Sequence, residues 1–330
     1  MNRVSVLGVS LVALLLLAGT ALAHVPEFPH DNDSPETALA VTNPAKSWVF
    51  YDHVPTDGAA YYSVDLESGD RILLELFTPR TGDFTPSLVL MSPAIDRRDG
   101  VPGDVTVPEG YGARVIHGDR SEEAAYEPFT PAAFYSTVSY DRPVDEAGPY
   151  LVAVYGPERR SGPVGVVVGY EESFSVAEYL TVPIDRHRIH LWEGQSPALV
   201  LGPGLLVLLG GFGTLVPRLS GPRVTIRTAL GIAGLLFLAG ATGTAVQTGI
   251  ALAKSDPVPG GVLTLAFVLV PAGIGAWLLQ LALDENRPST RRTRATLVAA
   301  GVLGLVTWGG ILVGPAVTIL VAVLPWGWLP

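Results

Sequence analysis

The chain of 330 residues contains no cysteine and almost no lysine, with Lys46 and Lys254 as its two examples. The absence of cysteine excludes disulfide bonds, thiol catalysis and thiolate metal sites. Charged residues of all kinds make up 16% of the chain, and its mean hydropathy is +0.38. A chain so apolar and so poor in charge is typical of membrane proteins and not of ordinary soluble ones.

Several functional signatures are missing as well. The chain has no G-x-S-x-G, no H-E-x-x-H and no glycine-rich phosphate loop, so we predict that it is not an enzyme. Residues 24–196 carry 28 acidic and 12 basic side chains, a formal net charge of −16. Because phosphate contacts need clustered Lys and Arg, this segment is not expected to bind nucleic acid.

The first 23 residues have the pattern of a secretory signal. They begin with Arg3, continue through a short apolar run, and end in Ala21-Leu22-Ala23. A basic start, an apolar core and an A-x-A site predict cleavage before His24. The acidic segment that follows is therefore expected outside the cytoplasm.

Four apolar runs follow Pro197, each long enough to cross a hydrocarbon core at about 20 residues. They cover residues 197–217, 228–253, 262–283 and 295–324, and none contains Asp, Glu, Lys, Arg or His. Ion-coupled transporters usually carry such groups inside their spans, so ion coupling is disfavoured. A tightly packed four-helix bundle, rich in glycine, is the preferred interpretation, and a passive channel or transporter is a less favoured one.

The loops between the spans predict the orientation. The first loop (217–227) has three arginines and the third (284–294) has four, whereas the middle loop has one Lys and one Asp. Arginine-rich loops stay in the cytoplasm. We therefore predict a multi-pass protein of the cell membrane with residues 24–196, the middle loop and the C-terminal tail (325–330) outside the cell.

Residues 24–170 read as an all-β domain, because short runs of Val, Tyr, Phe and Leu are separated by Gly, Pro and Asp. Eight strands without helical periodicity predict a sandwich. The turn Ser68-Gly69-Asp70 between two alternating runs predicts a hairpin, and residues 93–112 are expected to form an exposed loop. The predicted strands are 48–54, 60–66, 71–78, 87–92, 113–118, 134–140, 150–156 and 164–170.

Four pieces of this segment resemble the bacterial pre-peptidase C-terminal domain. They are DNDSPETALAV (31–41), YYSVDLESGDRILLEL (61–76), PSLVLMSP (86–93) and AGPYLVAVYG (147–156). The resemblance covers residues 31–170 and implies a small jelly-roll-like sandwich that is an accessory module. Some members of that family bind calcium or polysaccharide. The whole chain is also similar to a group of archaeal membrane proteins, a resemblance that implies no activity.

His24 is a candidate copper ligand. After cleavage at Ala23, its imidazole and the new α-amine would form a chelating pair, and imidazole nitrogen suits copper. All six histidines lie in residues 24–196, so a second ligand is within the same segment. Since the end of a domain is more often mobile than structured, copper binding is the alternative and not the leading hypothesis.

Calcium is a second candidate, at Asp31, Asp33 and Glu36. Carboxylate oxygens are calcium ligands, but the segment lacks the glycine and the distal Glu of an EF-hand loop. A solvated acidic turn is the simpler interpretation.

The segment 171–196, here called the collar, joins the β domain to the spans. Ser175 and Glu178 form a capping-box pattern, so a helix should begin near Val176 and end or kink at Pro183. In a second short helix, His187, His190 and Glu193 would share one side and could hold a metal. We favour a collar whose Ile184, Ile189, Leu191 and Trp192 face lipid or the ends of the spans. Its arginines, Arg186 and Arg188, and its histidines would then face water or lipid head groups.

The sequence thus predicts an acidic β domain displayed outside the cell on a four-helix membrane region. The leading hypothesis is a membrane-anchored binding or scaffold protein, with the lipid bilayer and a cell-surface protein or glycan as partners. A copper-binding membrane protein is the alternative. No cofactor is firmly indicated beyond the two candidates, copper and calcium.

Overall fold

The computed structural model describes residues 24–79, 82, 84–219, 225–255, 261–284 and 290–324, so the predicted signal sequence and external tail lie outside the described residues. All eight predicted strands are present, together with three short ones at residues 25–27, 39–40 and 125–127. The strands are β1 (Val25–Glu27), β2 (Leu39–Ala40), β3 (Trp48–Val54), β4 (Ala59–Leu66), β5 (Arg71–Thr78), β6 (Ser87–Ser92), β7 (Gly112–Ile116), β8 (Ala125–Glu127), β9 (Ala132–Pro143), β10 (Gly148–Tyr155) and β11 (Gly162–Val168).

These strands form two sheets. The first sheet has the order β1-β3-β11-β5-β9-β8 and the second has the order β2-β4-β10-β6-β7. Inward-facing side chains of both sheets meet in one apolar cluster, which includes Tyr62 and Val64 of β4 with Leu74 and Leu76 of β5. Burial of this cluster supplies the main hydrophobic stabilisation of the domain.

The predicted hairpin at Ser68-Gly69-Asp70 is wrong. Strand β4 belongs to the second sheet and β5 to the first, so the turn carries the chain from one sheet to the other. The backbone of the turn bonds to Val144, with Gly69 N donating to Val144 O at 2.8 Å and Val144 N donating to Asp70 O at 2.7 Å. Alternating side chains determine which face of a strand is buried, but they do not determine its neighbour.

The outer faces of both sheets are covered. Residues 93–111 lie over the second sheet, where Val105 is buried and Thr106 N donates to the Tyr61 hydroxyl at 2.7 Å. This segment was expected to be an exposed loop, and the apolar outer face of β4 explains why part of it is not. On the first sheet, Val49, Tyr51 and Phe134 cluster with Ile189 of the collar.

Within the described residues, six α-helices follow the sheets: α1 (Val176–Trp192), α2 (Pro197–Leu219), α3 (Ile226–Leu252), α4 (Gly261–Leu283), α5 (Arg291–Val306) and α6 (Val313–Val323). Three of them, α2, α3 and α4, contain segments long and apolar enough to cross a membrane. Helices α5 and α6 are long and apolar enough only when taken together, and they would be a fourth candidate span if the bent pair is treated as a single span. The described residues therefore contain three or four candidate spans.

The predicted span 295–324 is two helices and not one. The chain bends by 119° between α5 and α6, at a break where Trp308, Ile311 and Leu312 have positive φ. Helix α6 then folds back along α5, as the close approach of Gly301 in α5 to Ile319 in α6 shows. The last turns of α6 enter the same apolar cluster as Ile226, the first residue of α3.

Helix α1 forms most of the collar. Its N-terminus has the expected capping box, in which Glu178 N donates to Ser175 Oγ at 3.2 Å and Ser175 N donates to Glu178 Oε2 at 2.6 Å. The predicted break at Pro183 is wrong, because the helix continues to Trp192. Proline removes one backbone donor, and burial of Val182 and Pro183 against neighbouring elements holds the helix together there.

Candidate functional site

Helix α1 is fastened to the first sheet at both of its ends. Near its start, Lys46 Nζ lies 2.6 Å from Glu178 Oε1. At its end, Trp192 Nε1 donates to Asp52 O at 2.7 Å, and the indole ring lies edge-on to Tyr51 at 4.9 Å between centroids. The expectation that Ile189 and Trp192 face lipid or the ends of the spans is therefore wrong, since both residues pack on the sheet. Ile184 and Leu191, which were expected on the same side, are exposed.

A second contact joins the sheets to the candidate spans. The Tyr126 hydroxyl donates to Thr264 Oγ1 at 2.9 Å, and Thr264 Oγ1 donates to Pro128 O at 2.8 Å. Phe129 lies 6.1 Å from Phe267 and 6.3 Å from Trp308 between ring centroids. The β8–β9 connection thus rests on α4 and on the break between α5 and α6.

Between these two contacts lies a cavity of about 310 Å³, here called the aromatic cavity. The first sheet, β8, α1 and the α5–α6 break surround it, and most of its lining is apolar. The lining residues are His24, Pro26, Val49, Tyr51, Glu75, Leu76, Phe77, Ala125, Tyr126, Glu127, Phe129, Thr130, Phe134, Ser136, Val167, Phe174, Val182, Arg186, Ile189 and Trp308.

Burial shifts the pKa values of six ionisable side chains in this lining: His24, Tyr51, Glu75, Tyr126, Glu127 and Arg186. Burial lowers the pKa of His24 to about 4 and that of Arg186 to about 10. Burial also raises the pKa of Glu127 to about 7, against the opposing effect of backbone N–H groups of Phe129 and Thr130. At neutral pH the cavity therefore holds a neutral imidazole and a guanidinium cation, and burial favours the protonated form of the Glu127 carboxyl group.

A second cavity of about 170 Å³, here called the interfacial cavity, lies between α1, α2 and α3. It shares Arg186 and Trp308 with the aromatic cavity. The lining residues are Pro183, Arg186, His187, His190, Val200, Leu201, Gly204, Leu205, Leu208, Ala239, Gly240, Gly243, Thr244, Gln247, Trp308 and Ile311.

Four buried nitrogens of side chains that line the interfacial cavity have no hydrogen-bond partner: Arg186 Nε, His190 Nδ1, Gln247 Nε2 and Trp308 Nε1. The orientation of the Gln247 amide follows from its neighbours. Gln195 Nε2 donates to Glu193 Oε2 and to Gln247 Oε1, both at 2.9 Å. A carboxylate accepts only, so the Gln195 amide nitrogen faces Glu193, and the Gln247 amide oxygen accepts from Gln195 while the Gln247 amide nitrogen has no partner.

The structure places the predicted collar metal ligands in separate roles. His187 Nδ1 donates to Pro183 O at 2.7 Å, and burial lowers the pKa of His187. His190 Nδ1 lies 3.4 Å from Glu193 Oε1, an ion-pair distance at which no hydrogen bond is formed. His190 is buried, so the expectation that the collar's arginines and histidines all face water or head groups is wrong for this residue.

The other predicted ligands also lie apart. His24 Nδ1 is 2.5 Å from Ser47 Oγ. Asp31, Asp33 and Glu36 are exposed beside the short helical turn Pro35–Thr37. Across the part of the chain that the structure describes, no group of three or more His, Asp or Glu side chains is arranged to hold a metal ion. Copper at His24 and calcium at the acidic turn stay predictions.

Sequence reasoning missed four residues of these cavities: Glu127, Arg186, Gln247 and Trp308. Gln247 stands out as one of two glutamines in the apolar runs, which is a detectable signal. Arg186 sits in a stretch of mixed polarity, where its burial depends on the first sheet packing over α1. Glu127 and Trp308 carry no signal in the sequence, because residues far apart in the chain bury them.

No family model and no curated protein matches the chain. Among solved structures, PliG of Aeromonas hydrophila, a periplasmic lysozyme inhibitor of g-type lysozyme, aligns with 44% of this chain and 99% of its own. The identity is 11% and the TM-score is 0.25. A likeness of this size carries no argument about function.

Proposed function

We propose that the protein is a membrane-anchored binding protein that displays its β domain outside the cell and holds a small, largely apolar molecule in the aromatic cavity. The two sheets then form a sandwich of the accessory type expected from the pre-peptidase C-terminal resemblance, and α2, α3 and α4 cross the bilayer. The acidic surface of the domain keeps a cell-surface protein or glycan as a further candidate partner.

One observation carries this proposal: a largely apolar cavity of about 310 Å³, with His24, Glu127 and Arg186 among its lining residues, lies where the β domain meets the helices. Small-molecule sites are usually concave and mostly apolar, with a few polar groups that fix orientation. His24, Glu127 and Arg186 are those groups here, and the aromatic rings of Tyr51 and Phe134 supply the apolar walls.

The predicted orientation agrees with the way the helices meet the β domain. Residues of the α3–α4 connection touch the domain, as Ser255 bridges to Ala124. Arg227 lies at the start of α3 and Arg291 at the start of α5, the ends expected on the cytoplasmic side.

A cavity-filling variant tests the proposal. The full-length protein in phosphatidylcholine nanodiscs is titrated with naphthalene-2-carboxylate, and binding is measured by saturation-transfer NMR. Val182→Phe fills the cavity from α1 and is expected to abolish the transfer. Val176→Phe makes the same change on the same helix at a side chain that is 79% exposed, so transfer should persist. Equal transfer in both variants would refute the ligand site.

A further inference from the structure

The interfacial cavity has donors without acceptors. Arg186 Nε, Gln247 Nε2 and Trp308 Nε1 are buried and unpartnered, and all three side chains line this one cavity. An unpaired buried donor costs about 1–3 kcal/mol, so three in one place are retained at a cost in stability. A group that only accepts hydrogen bonds, such as a phosphate, satisfies all of them.

Charge points to the same group. Among the described residues, no carboxylate oxygen lies within 4.0 Å of the Arg186 guanidinium, and its strongest polar contact is a long one of 3.4 Å from Nη2 to Thr244 Oγ1. Neighbouring Arg188, by contrast, pairs with Asp185 at 3.2 Å. The pKa of Arg186 is lowered by burial to about 10, which leaves it charged at neutral pH. A buried cation of this kind requires an anion.

The depth of the site matches the level of lipid head groups. Helix α3 begins at Ile226 beside Arg227, at its arginine-bearing end. About 20 residues at roughly 1.5 Å each cross the ~30 Å core, so the other boundary falls at about residue 246. The Arg186 guanidinium contacts Thr244 of α3, and Gln247 lies about one turn further along the same helix. Both residues of α3 are therefore close to this boundary.

The shape of the site admits a chain from the bilayer. On one side α3 contributes Ala239, Gly240 and Gly243, whose small side chains leave a groove against α2. On the other side Leu201 and Leu205 of α2 line the cavity and are 45% and 50% exposed. The groove therefore opens laterally, where lipid surrounds α2.

We propose that the interfacial cavity binds the phosphate of an anionic membrane lipid, with Arg186, Gln247 and Trp308 donating to phosphate oxygens and the acyl chains lying along the groove between α2 and α3. Such charge-assisted hydrogen bonds are short and directional. The inference rests on the membrane placement in the proposed function, and the lipid site shares Arg186 and Trp308 with the aromatic cavity.

Native mass spectrometry of the full-length protein tests this directly. The protein is released from detergent micelles that contain equal amounts of phosphatidylglycerol and phosphatidylcholine, and the two single-lipid adducts are compared. Both lipids carry a phosphate, but only phosphatidylglycerol has a net negative charge, whereas the choline cation of phosphatidylcholine would lie near the Arg186 guanidinium. We therefore expect phosphatidylglycerol to be favoured by roughly tenfold. Arg186→Gln should remove this preference. Arg188→Gln removes the same charge from the same helix and should keep it.

Two further variants keep the inference testable if the Arg186→Gln protein does not fold. Gln247→Leu and Trp308→Phe each remove one donor and keep most of the shape, so each should reduce the preference. Gln247 lines the interfacial cavity and not the aromatic cavity, whereas Val182 lines the aromatic cavity and not the interfacial one. Gln247→Leu therefore tests the lipid site, and Val182→Phe tests the proposed function.

Three results would overturn the inference. They are equal retention of both lipids by the unaltered protein, loss of the preference in Arg188→Gln as well as in Arg186→Gln, and displacement of phosphatidylglycerol by inorganic phosphate. The last result would identify the site as one for free phosphate and not for lipid.

Discussion

Replacement of Trp192 by alanine should detach α1 from the first sheet. The change removes the hydrogen bond from Nε1 to Asp52 O and three aromatic contacts, to Tyr51 at 4.9 Å, Phe134 at 6.0 Å and Phe77 at 6.1 Å between centroids. Truncation of a buried Trp costs about 3–5 kcal/mol. Because this side chain is only partly buried, we expect about 3 kcal/mol, which raises the opening equilibrium of α1 about a hundredfold.

Hydrogen–deuterium exchange of the full-length protein in nanodiscs measures this opening. Peptides from residues 176–192 should exchange about a hundredfold faster in Trp192→Ala, whereas peptides from the second sheet should not change. Trp192→Phe keeps a ring and loses only the donor, so a smaller effect of about tenfold is expected.

Leu191→Ala is the matched control for this experiment. Leu191 is adjacent to Trp192 and 41% exposed, and it lies outside the cluster on the first sheet. Its replacement should leave the exchange of α1 within about threefold of the unaltered protein. If Trp192→Ala behaved like Leu191→Ala, the sheet would not hold the collar and the reasoning from these contacts would fail.

Three other predictions follow from the structure. Since burial raises the pKa of Glu127 to about 7, its ionisation opposes folding: stability should fall by at most about 3 kcal/mol as pH rises from 4.5 to 7, and Glu127→Gln should abolish that fall in thermal melts. In Gly165→Ala the new Cβ meets the ring of Phe77, so chemical denaturation should show a loss of about 1–3 kcal/mol. In this cysteine-free chain, Leu324→Cys should react with an impermeant maleimide only after permeabilisation, like Thr293→Cys, because α6 folds back along α5 and its last turns join the same apolar cluster as the start of α3. Reaction in intact cells would instead support the external C-terminal tail that the sequence predicts.

The strands and helices were largely predictable. Four predicted strands, including 48–54 and 71–78, coincide with the structure to within a residue, because buried β segments alternate and end at Gly, Pro or Asp. The start of α1 was also predictable, since Ser175 and Glu178 satisfy the first turn through local hydrogen bonds. Patterns of this kind depend on neighbours within a few residues.

The candidate sites were not predictable to the same degree. His187, His190 and Glu193 share a helix as expected, but His187 bonds to the backbone and His190 faces Glu193. Arg186 lies on the same helix, but no pattern in the sequence marks it as a ligand-binding residue. Spacing on a helix determines which side chains are neighbours, whereas the surfaces packed around the helix determine which of them face a cavity.

The sequence by itself determined the composition of the molecule: a β-rich acidic segment, an amphipathic connection and apolar helices with arginines between them. Those features follow from local periodicity and from the cost of placing charge in hydrocarbon. Only the tertiary structure decided that β4 and β5 join different sheets, that the last apolar run folds back, and that Arg186, Gln247 and Trp308 meet. Each of these arrangements depends on contacts between residues distant in the chain, whose free energy is set by packing that no local pattern encodes.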